Sequence, residues 1–142
     1  NGTDLGTKVV AGGEITGLSE AVTTACVGLT YRARWKSSKL AYASGIGAPL
    51  TQKKRLSHVG LILADTHAQG LEYGPDFTTM DNLPLMENEK EVTATMHTAY
   101  DEEPIEFPGE WDTDSRICLE ANAPRPCTVL GVILPVETHD KT

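Results

Sequence analysis

The stretch EFPGEWDTDSRICLEANAPRPCTVLGVILP, residues 106–135, decides the fold class. It holds two strand-like runs, 116–121 and 127–134, joined by the stiff corner Asn122-Ala123-Pro124-Arg125-Pro126. In the first run Ile117, Leu119 and Ala121 fall on one face, and Arg116, Cys118 and Glu120 on the other. A period of two is the mark of a half-buried strand. The second run is apolar on both faces and rich in β-branched residues, which predicts a central strand covered on both sides. Pro124 and Pro126 lack amide donors and fix φ, so the corner continues neither ladder. Nothing in the stretch is catalytic in pattern.

Working outward, the same alternation recurs. Leu29, Tyr31, Ala33 and Trp35 share one side of a strand whose other side carries Thr30 and the cations Arg32, Arg34 and Lys36. Lys53-Lys54-Arg55 leads into LSHVGLILA (56–64), a second buried strand, where the interior Gly60 suggests a bulge or a close backbone approach. DTHAQG (65–70) is a turn, and residues 71–74 return as a short strand completing a hairpin. Residues 8–11 and 14–16 flank Gly12-Gly13 as a tight hairpin, because paired glycines supply the positive φ its turn requires. Residues 75–90, with Phe77, Met80, Leu83 and Leu85, are expected as a long ordered loop on the core. Residues 91–100 alternate again and stop at Asp101-Glu102-Glu103-Pro104. Residues 37–50 read as a loop with room for a short strand around 40–42, and the only helical pattern is a weak one at 19–24. The chain is therefore mostly β, an antiparallel β-sandwich or barrel-like domain with long ordered loops. Its parts are a lead-in over 1–20, a single β domain over 21–136 and a polar tail over 137–142.

A chain of 142 residues is one domain by length, long enough to bury a core without staples. Its 20 acidic and 12 basic residues give a formal net charge of −8. That field opposes gripping nucleic acid by its phosphates, although DNA can slide past a like-charged wall. Cys26, Cys118 and Cys127 are an odd number without a CxxC pair, and each is expected as a buried free thiol. There is no apolar run of membrane length and no signal-peptide pattern. The start at Asn1 is that expected of a piece processed, trimmed or excised from a longer polypeptide.

Chemistry-bearing residues are sparse. His67 beside Asp65 is the most site-like of His58, His67, His97 and His139. A metal site needs three or four converging ligands, so an exposed His on an Asp-stabilised turn is the simpler expectation. Asp112 and Asp114 in WDTDS resemble the start of a calcium loop but lack the following Gly and the distant bidentate Glu; an Asx-type turn is expected. Glu102, Glu103, Glu106 and Glu110 offer no fixed separation for a hydrolytic carboxylate pair, and no nucleophile or phosphate-loop motif is present. Trp35, Trp111, Tyr31 and Phe107 suit core or interface packing better than a base-stacking platform. The cation row is either a solvated edge that opposes aggregation or a docking edge for an acidic partner.

Four stretches together resemble one family: VGLTYRARWKSSKL (27–40), TQKKRLSHVGLILADTHAQGLEYG (51–74), FPGEWDTDSRICL (107–119) and APRPCTVLGVI (123–133). They are similar to the C-terminal part of the tail nozzle proteins of short-tailed bacteriophages, also called tail tubular protein B. That family has a VGLPY strand, a KKR strand, a glycine turn and a closing apolar strand; Thr30 stands here where the family has proline. The resemblance implies a structural virion protein without enzymatic activity or cofactor, made in the host cytoplasm and built into the tail. It implies one β module of a ring subunit, with a hexamer expected, around a DNA conduit, docked to other tail proteins such as the adaptor or gatekeeper and without a membrane anchor. Partner contacts are expected at Arg32, Arg34, Lys36, Lys53, Lys54 and Arg55. Two other readings stay open: a carbohydrate-binding or hydrolytic tail domain acting on host surface polymer, and a capsid decoration protein.

Overall fold

The computed structural model describes residues 5–19, 21–41, 51–84, 86–87, 90–91, 96–97 and 100–138, with the backbone alone for 86–103. Fifteen strands and no helix occur among them. The first five are β1 (Val10–Ala11), β2 (Glu14–Ile15), β3 (Tyr31–Lys36), β4 (Lys54–Leu56) and β5 (His58–Ala64). Then come β6 (Thr66–His67), β7 (Leu71–Asp76), β8 (Thr79–Asn82), β9 (Met86–Glu87) and β10 (Lys90–Glu91). The last are β11 (Met96–His97), β12 (Tyr100–Glu106), β13 (Cys118–Ala123), β14 (Thr128–Ile133) and β15 (Val136–Thr138). Every pairing is antiparallel.

Two sheets make the body: a four-stranded one in the order β3-β13-β7-β8 and a three-stranded one in the order β12-β5-β14. They face each other as an antiparallel sandwich-like fold, and no sheet closes into a barrel. The register explains the layering. Leu119 lies opposite Trp35 on one side and Tyr73 on the other, and Ala121 lies opposite Ala33 and Leu71. These side chains therefore share one face, which meets Val59, Leu61 and Leu63 of β5 in a single core with Leu56, Ile117 and Phe107. Each fully buried Leu, Val or Ile contributes about 1.5–3 kcal/mol. Tyr73 and Phe107 stack with ring centroids 6.3 Å apart.

The two strands of the deciding stretch exchange the places expected of them. β13, read as half-buried, lies inside its sheet with Cys118, Leu119 and Glu120 all buried. β14, read as a central strand, is an edge that pairs among the described residues only with β5, and Leu130 is 66% exposed. A register shift between Val129 and Gly131 makes a bulge at Leu130. The bulge lets Val129 and Val132 both pack on the core although they are three residues apart. Apolar residues on both faces here mean one face on the core and one open to the outside.

Other differences have local causes. β5 and β7 do not form the expected hairpin; they belong to different sheets. Asp65, at φ 46, and the short β6 carry the chain across from one sheet to the other. The loop expected over 75–90 contains a hairpin instead. Asp76 Oδ1 accepts the backbone amides of Thr78 and Thr79 and the Thr78 hydroxyl, closing the β7–β8 turn. Leu83, just beyond, is buried as expected of that segment. β12 runs through Asp101-Glu102-Glu103-Pro104, which were expected to end a strand; as an edge strand it tolerates the exposed Pro104. Of the strand expected at 91–100, residues 92–95 and 98–99 lie outside the described residues, as do Leu85, Tyr42 of the expected 40–42 strand and Glu20 of the weak helical pattern. Glu137 and Thr138, expected in a polar tail, pair in β15 with β4, while 139–142 lie outside the described residues.

The glycine hairpin is present: Gly12 and Gly13 sit at φ 63 and 84 between β1 and β2. This hairpin pairs with no other described strand. Between residues 5 and 30 every described residue is exposed except Leu5, Lys8 and Ile15, which are half-buried. The segment is a largely exposed arm that meets the sandwich at Gly28, against Pro124.

Candidate functional site

The cation row of β3 lies on the outward face of its sheet, directly over Glu120 of β13. Register pairs Glu120 with Arg34, and Asn122 with Arg32. The Glu120 side chain is only 1% exposed, and both its oxygens meet guanidinium groups. Arg34 Nε donates to Oε2 at 2.5 Å, and Arg32 Nη1 lies 2.9 Å from Oε1. Arg34 also stacks over the Phe77 ring, 5.0 Å from its centroid, at the tip of the β7–β8 hairpin. A carboxylate buried in a sheet needs such partners. Arg32 and Arg34, though exposed themselves, are thus engaged by the fold, and Lys36 is the exposed cation of the row outside this pairing.

The second expected cluster divides. Lys53 and Arg55 are exposed, but Lys54 is 0% exposed and cannot reach a partner. Its ammonium donates to the carbonyls of Gln52 and Thr113 at 2.8 and 3.4 Å. Its backbone exchanges both bonds with Asp112. Lys54 therefore ties β4 to the 112–115 turn. Since β4 pairs with β15 and β3 with β13, the two cationic groups sit on different sheets.

The other candidates resolve simply. His67 was expected to be exposed; it is buried, because β6 tucks against β11, and its Nδ1 accepts the Gln69 amide at 3.2 Å. Asp112 caps the Thr113 amide at 2.6 Å and Asp114 pairs with Arg116 at 2.8 Å, as turn-forming carboxylates. Asp114 is held below the usual carboxylate range chiefly by the hydrogen bond from Arg116. Ser57 Oγ donates to Glu137 Oε1 at 2.6 Å and touches His58 Nδ1 at 3.1 Å. A nucleophile needs the base on its hydroxyl and the carboxylate on the base; here the carboxylate takes the hydroxyl. Glu106 and Glu110 are exposed, and the side chains of Glu102, Glu103 and His97, with all of His139, lie outside the described ones. Cys118 is buried, Cys127 half-buried and Cys26 exposed, contrary to the expectation for the last, because it lies on the arm. Burial pushes the Cys118 and Cys127 thiols up, which makes both poor nucleophiles.

What the structure assembles instead is an apolar cleft of about 400 Å³ on the open side of the sandwich. Ala33 and Trp35 of β3 with Leu119 and Ala121 of β13 form one wall, and Val129 and Val132 of β14 the other. The sheets close on one another around Leu61, Leu63 and Leu71 but part between β3 and β14. Trp35 is consequently 50% exposed and Tyr31 67%. Of the four aromatics expected in core or interface packing, Phe107 is in the core, while Trp35, Tyr31 and Trp111 are exposed in the single chain. The signal for the cleft was the unbroken apolar alternation from Leu29 to Trp35; what the sequence could not show was that none of the described residues covers it.

Compared with known proteins, the chain matches no protein-family model and no curated protein sequence.

Beside the cleft wall, Tyr73 supplies a titration that reads the integrity of the core. Its hydroxyl donates to the Glu106 carbonyl at 3.1 Å. Burial, with the nearby Asp81 and Glu106 carboxylates, raises its pKa from 10.0 to about 12. Below pH 10 the ring is neutral folded and unfolded, and its stabilising contribution is intact. Between pH 10 and about 12 only the unfolded chain ionises it, so stability falls by about 2 kcal/mol. Urea unfolding from pH 9 to 12 is expected to show this decline, and Tyr73→Phe to lack that part of it; an identical pH profile for the variant would contradict the assignment.

Proposed function

We propose that this chain is a non-enzymatic structural module of a short-tailed bacteriophage tail nozzle, working as a ring subunit that presents a docking surface to neighbouring tail proteins. The observation that carries this reading is the open side of the sandwich, where Tyr31, Trp35 and Leu130 stand exposed beside an apolar cleft. Contiguous exposed apolar surface of this kind marks an interaction site, whereas single exposed hydrophobics do not. Three further features support it. The family resemblance runs through the strands that build the cleft. The net charge of −8 suits a conduit wall that must not grip DNA. His67, Glu120, Asp114 and Glu137 are engaged in turns or pairs, and no group of three or more potential metal ligands occurs among the described residues. Arg32 and Arg34 act in this reading as supports of the β3 wall, and Lys36, Lys53 and Arg55 are the cations left to meet an acidic neighbour.

The test is in the particle. Antibody against the chain is expected to label the tail end of purified virions of the phage that encodes it. Tyr31→Asp with Leu130→Asp, both exposed beside the cleft, is expected to leave the chain folded and cut infectious particles by about tenfold or more. Virions that carry no chain, or a wild-type titre from the double variant, would defeat the reading.

One observation favours a second reading, carbohydrate binding on host surface polymer: the exposed Trp35 indole at the mouth of the cleft, which can stack on a sugar ring. The cleft lining contains Arg34 but no carboxylate, so the hydrolytic form of that reading has no acid–base pair there. Host polysaccharide is expected to leave Trp35 fluorescence unchanged if the chain is an assembly module, and to quench or shift it if sugar binds.

A further inference from the structure

We infer that the cleft between β3 and β14 receives the extended segment 21–30 of a second copy of this chain, which adds as a strand to the free edge of β3 and lays its alternate side chains on β14. This rests on the assembly reading above and names the partner. The receiving site is incomplete in a particular way. Among the described residues β3 is bonded only to β13 and β14 only to β5, so each offers an unpaired edge to the same apolar slot. A peptide strand satisfies such an edge with main-chain bonds and fills the slot with every second side chain.

The donor is in the chain itself. Residues 21–30 belong to no strand, and all of them are exposed. Ala25, Val27 and Leu29 nonetheless continue the alternation of Tyr31, Ala33 and Trp35, and Val27 and Leu29 are 69% and 90% exposed. At about 3.3 Å per residue the segment spans roughly 33 Å, more than enough to run the length of the six-residue β3.

Its own cleft is poorly placed to receive it. The segment runs directly into Tyr31, so pairing with its own β3 would require a reversal within residues 28–30. Gly28, the residue suited to that turn, lies against Pro124, where a Cβ would sit 3.0 Å from the proline Cβ. The exposed large hydrophobics of the segment (Val22, Val27, Leu29) and of the receiving side (Tyr31, Trp35, Leu130) are the apolar surface this pairing would cover. Passing each arm to the next copy is a head-to-tail contact, the kind that closes into rings.

The experiment uses the exposed Cys26 as a natural reporter on the donor. Full-length wild-type chain is mixed with isotope-labelled chain carrying Cys26→Ser and Leu130→Cys, and both are treated with a short bismaleimide. The expected product joins Cys26 of one chain to position 130 of the other, and the labelled chain without Leu130→Cys gives none at that position. Val27→Asp with Leu29→Asp, at positions too exposed to disturb folding, is expected to weaken self-association and that cross-link by about a hundredfold or more. Self-association unchanged by the arm substitutions, or the absence of the inter-chain product, overturns the inference. A Cys26 to 130 link formed within one chain of a Leu130→Cys variant that retains Cys26 does so too, because the arm then fills its own cleft. Virion labelling separates these failures from failure of the assembly reading, which stands if tails carry the chain while the arm proves dispensable.

Discussion

Gly74→Ala is expected to lower stability by about 4 kcal/mol, or to prevent folding, the largest single-residue effect the fold implies. A Cβ at this position would lie 2.0 Å from the Thr79 carbonyl oxygen and 3.0 Å from its carbon. Both are backbone atoms of the neighbouring strand, so no rotamer change relieves the clash. Gly74 also pairs with Cys118 across β7–β13, so the hairpin cannot open without disturbing the sheet beneath it. At this chain length the loss corresponds to a Tm lower by roughly 10–15 °C. Gly131→Ala is the control: its Cβ would meet Ile62 Cδ1 at 3.4 Å, ordinary contact, and the expected change is under about 1 kcal/mol. Thermal unfolding of the two variants checks the pair, and a wild-type Tm for Gly74→Ala would contradict the β7–β8 geometry.

The second large effect concerns Glu120. Arg32→Ala combined with Arg34→Ala leaves a carboxylate that is 1% exposed without either of its cations. Breaking a fully buried pair from one side costs about 3–5 kcal/mol; here both guanidiniums are about half in water, which reduces the figure to about 2–3 kcal/mol. Adding Glu120→Gln to the double variant is expected to recover more than half of the loss, because the neutral amide no longer needs a counter-charge. Urea unfolding of wild type, double and triple variants measures it. No recovery in the triple variant would mean that the arginines act through packing, such as Arg34 on Phe77, rather than through charge. The result bears on function as well. An assembly defect from substitution at Arg32 or Arg34 would report a weakened β3 wall, so Lys36 is the informative cation of that row.

Much of the fold was legible in the sequence, because period-two patterning reports which residues are apolar on which face. β3, β5 and the glycine hairpin lie where alternation and turn residues put them. What patterning does not report is what covers a face. TVLGVI is apolar on both sides, like a strand buried in a sandwich, yet it is an edge whose outer face is open. RICLEA carries Arg116 and Glu120, like a strand half in water, yet it is internal, because a polar face can be buried when another strand brings matching charge. That match, Arg34 with Glu120, joins residues 86 positions apart, and no local signal announces it. The same limit applies to Lys54, which reads as one of three surface cations and is the one turned inward to carbonyl partners. The β7–β8 hairpin was missed for a different reason. Its turn is set by Asp76 bonding Thr78 and Thr79, a D-x-T-T pattern visible in the chain but outweighed by the apolar residues around it. The residues of the cleft were legible as a strand face; the cleft itself depends on the parting of two sheets, which is a tertiary fact.

The central claim is that the parted side of the sandwich is an interface for assembly. The most direct measurement is native mass by light scattering after size exclusion, across a range of concentration, for wild type and for Tyr31→Asp with Leu130→Asp. The account predicts that the wild-type mass rises in multiples of the 15.3 kDa chain as concentration increases, while the variant remains at the mass of one chain. A wild-type chain that stays at the mass of one chain at every concentration, or a variant that associates as the wild type does, would contradict it.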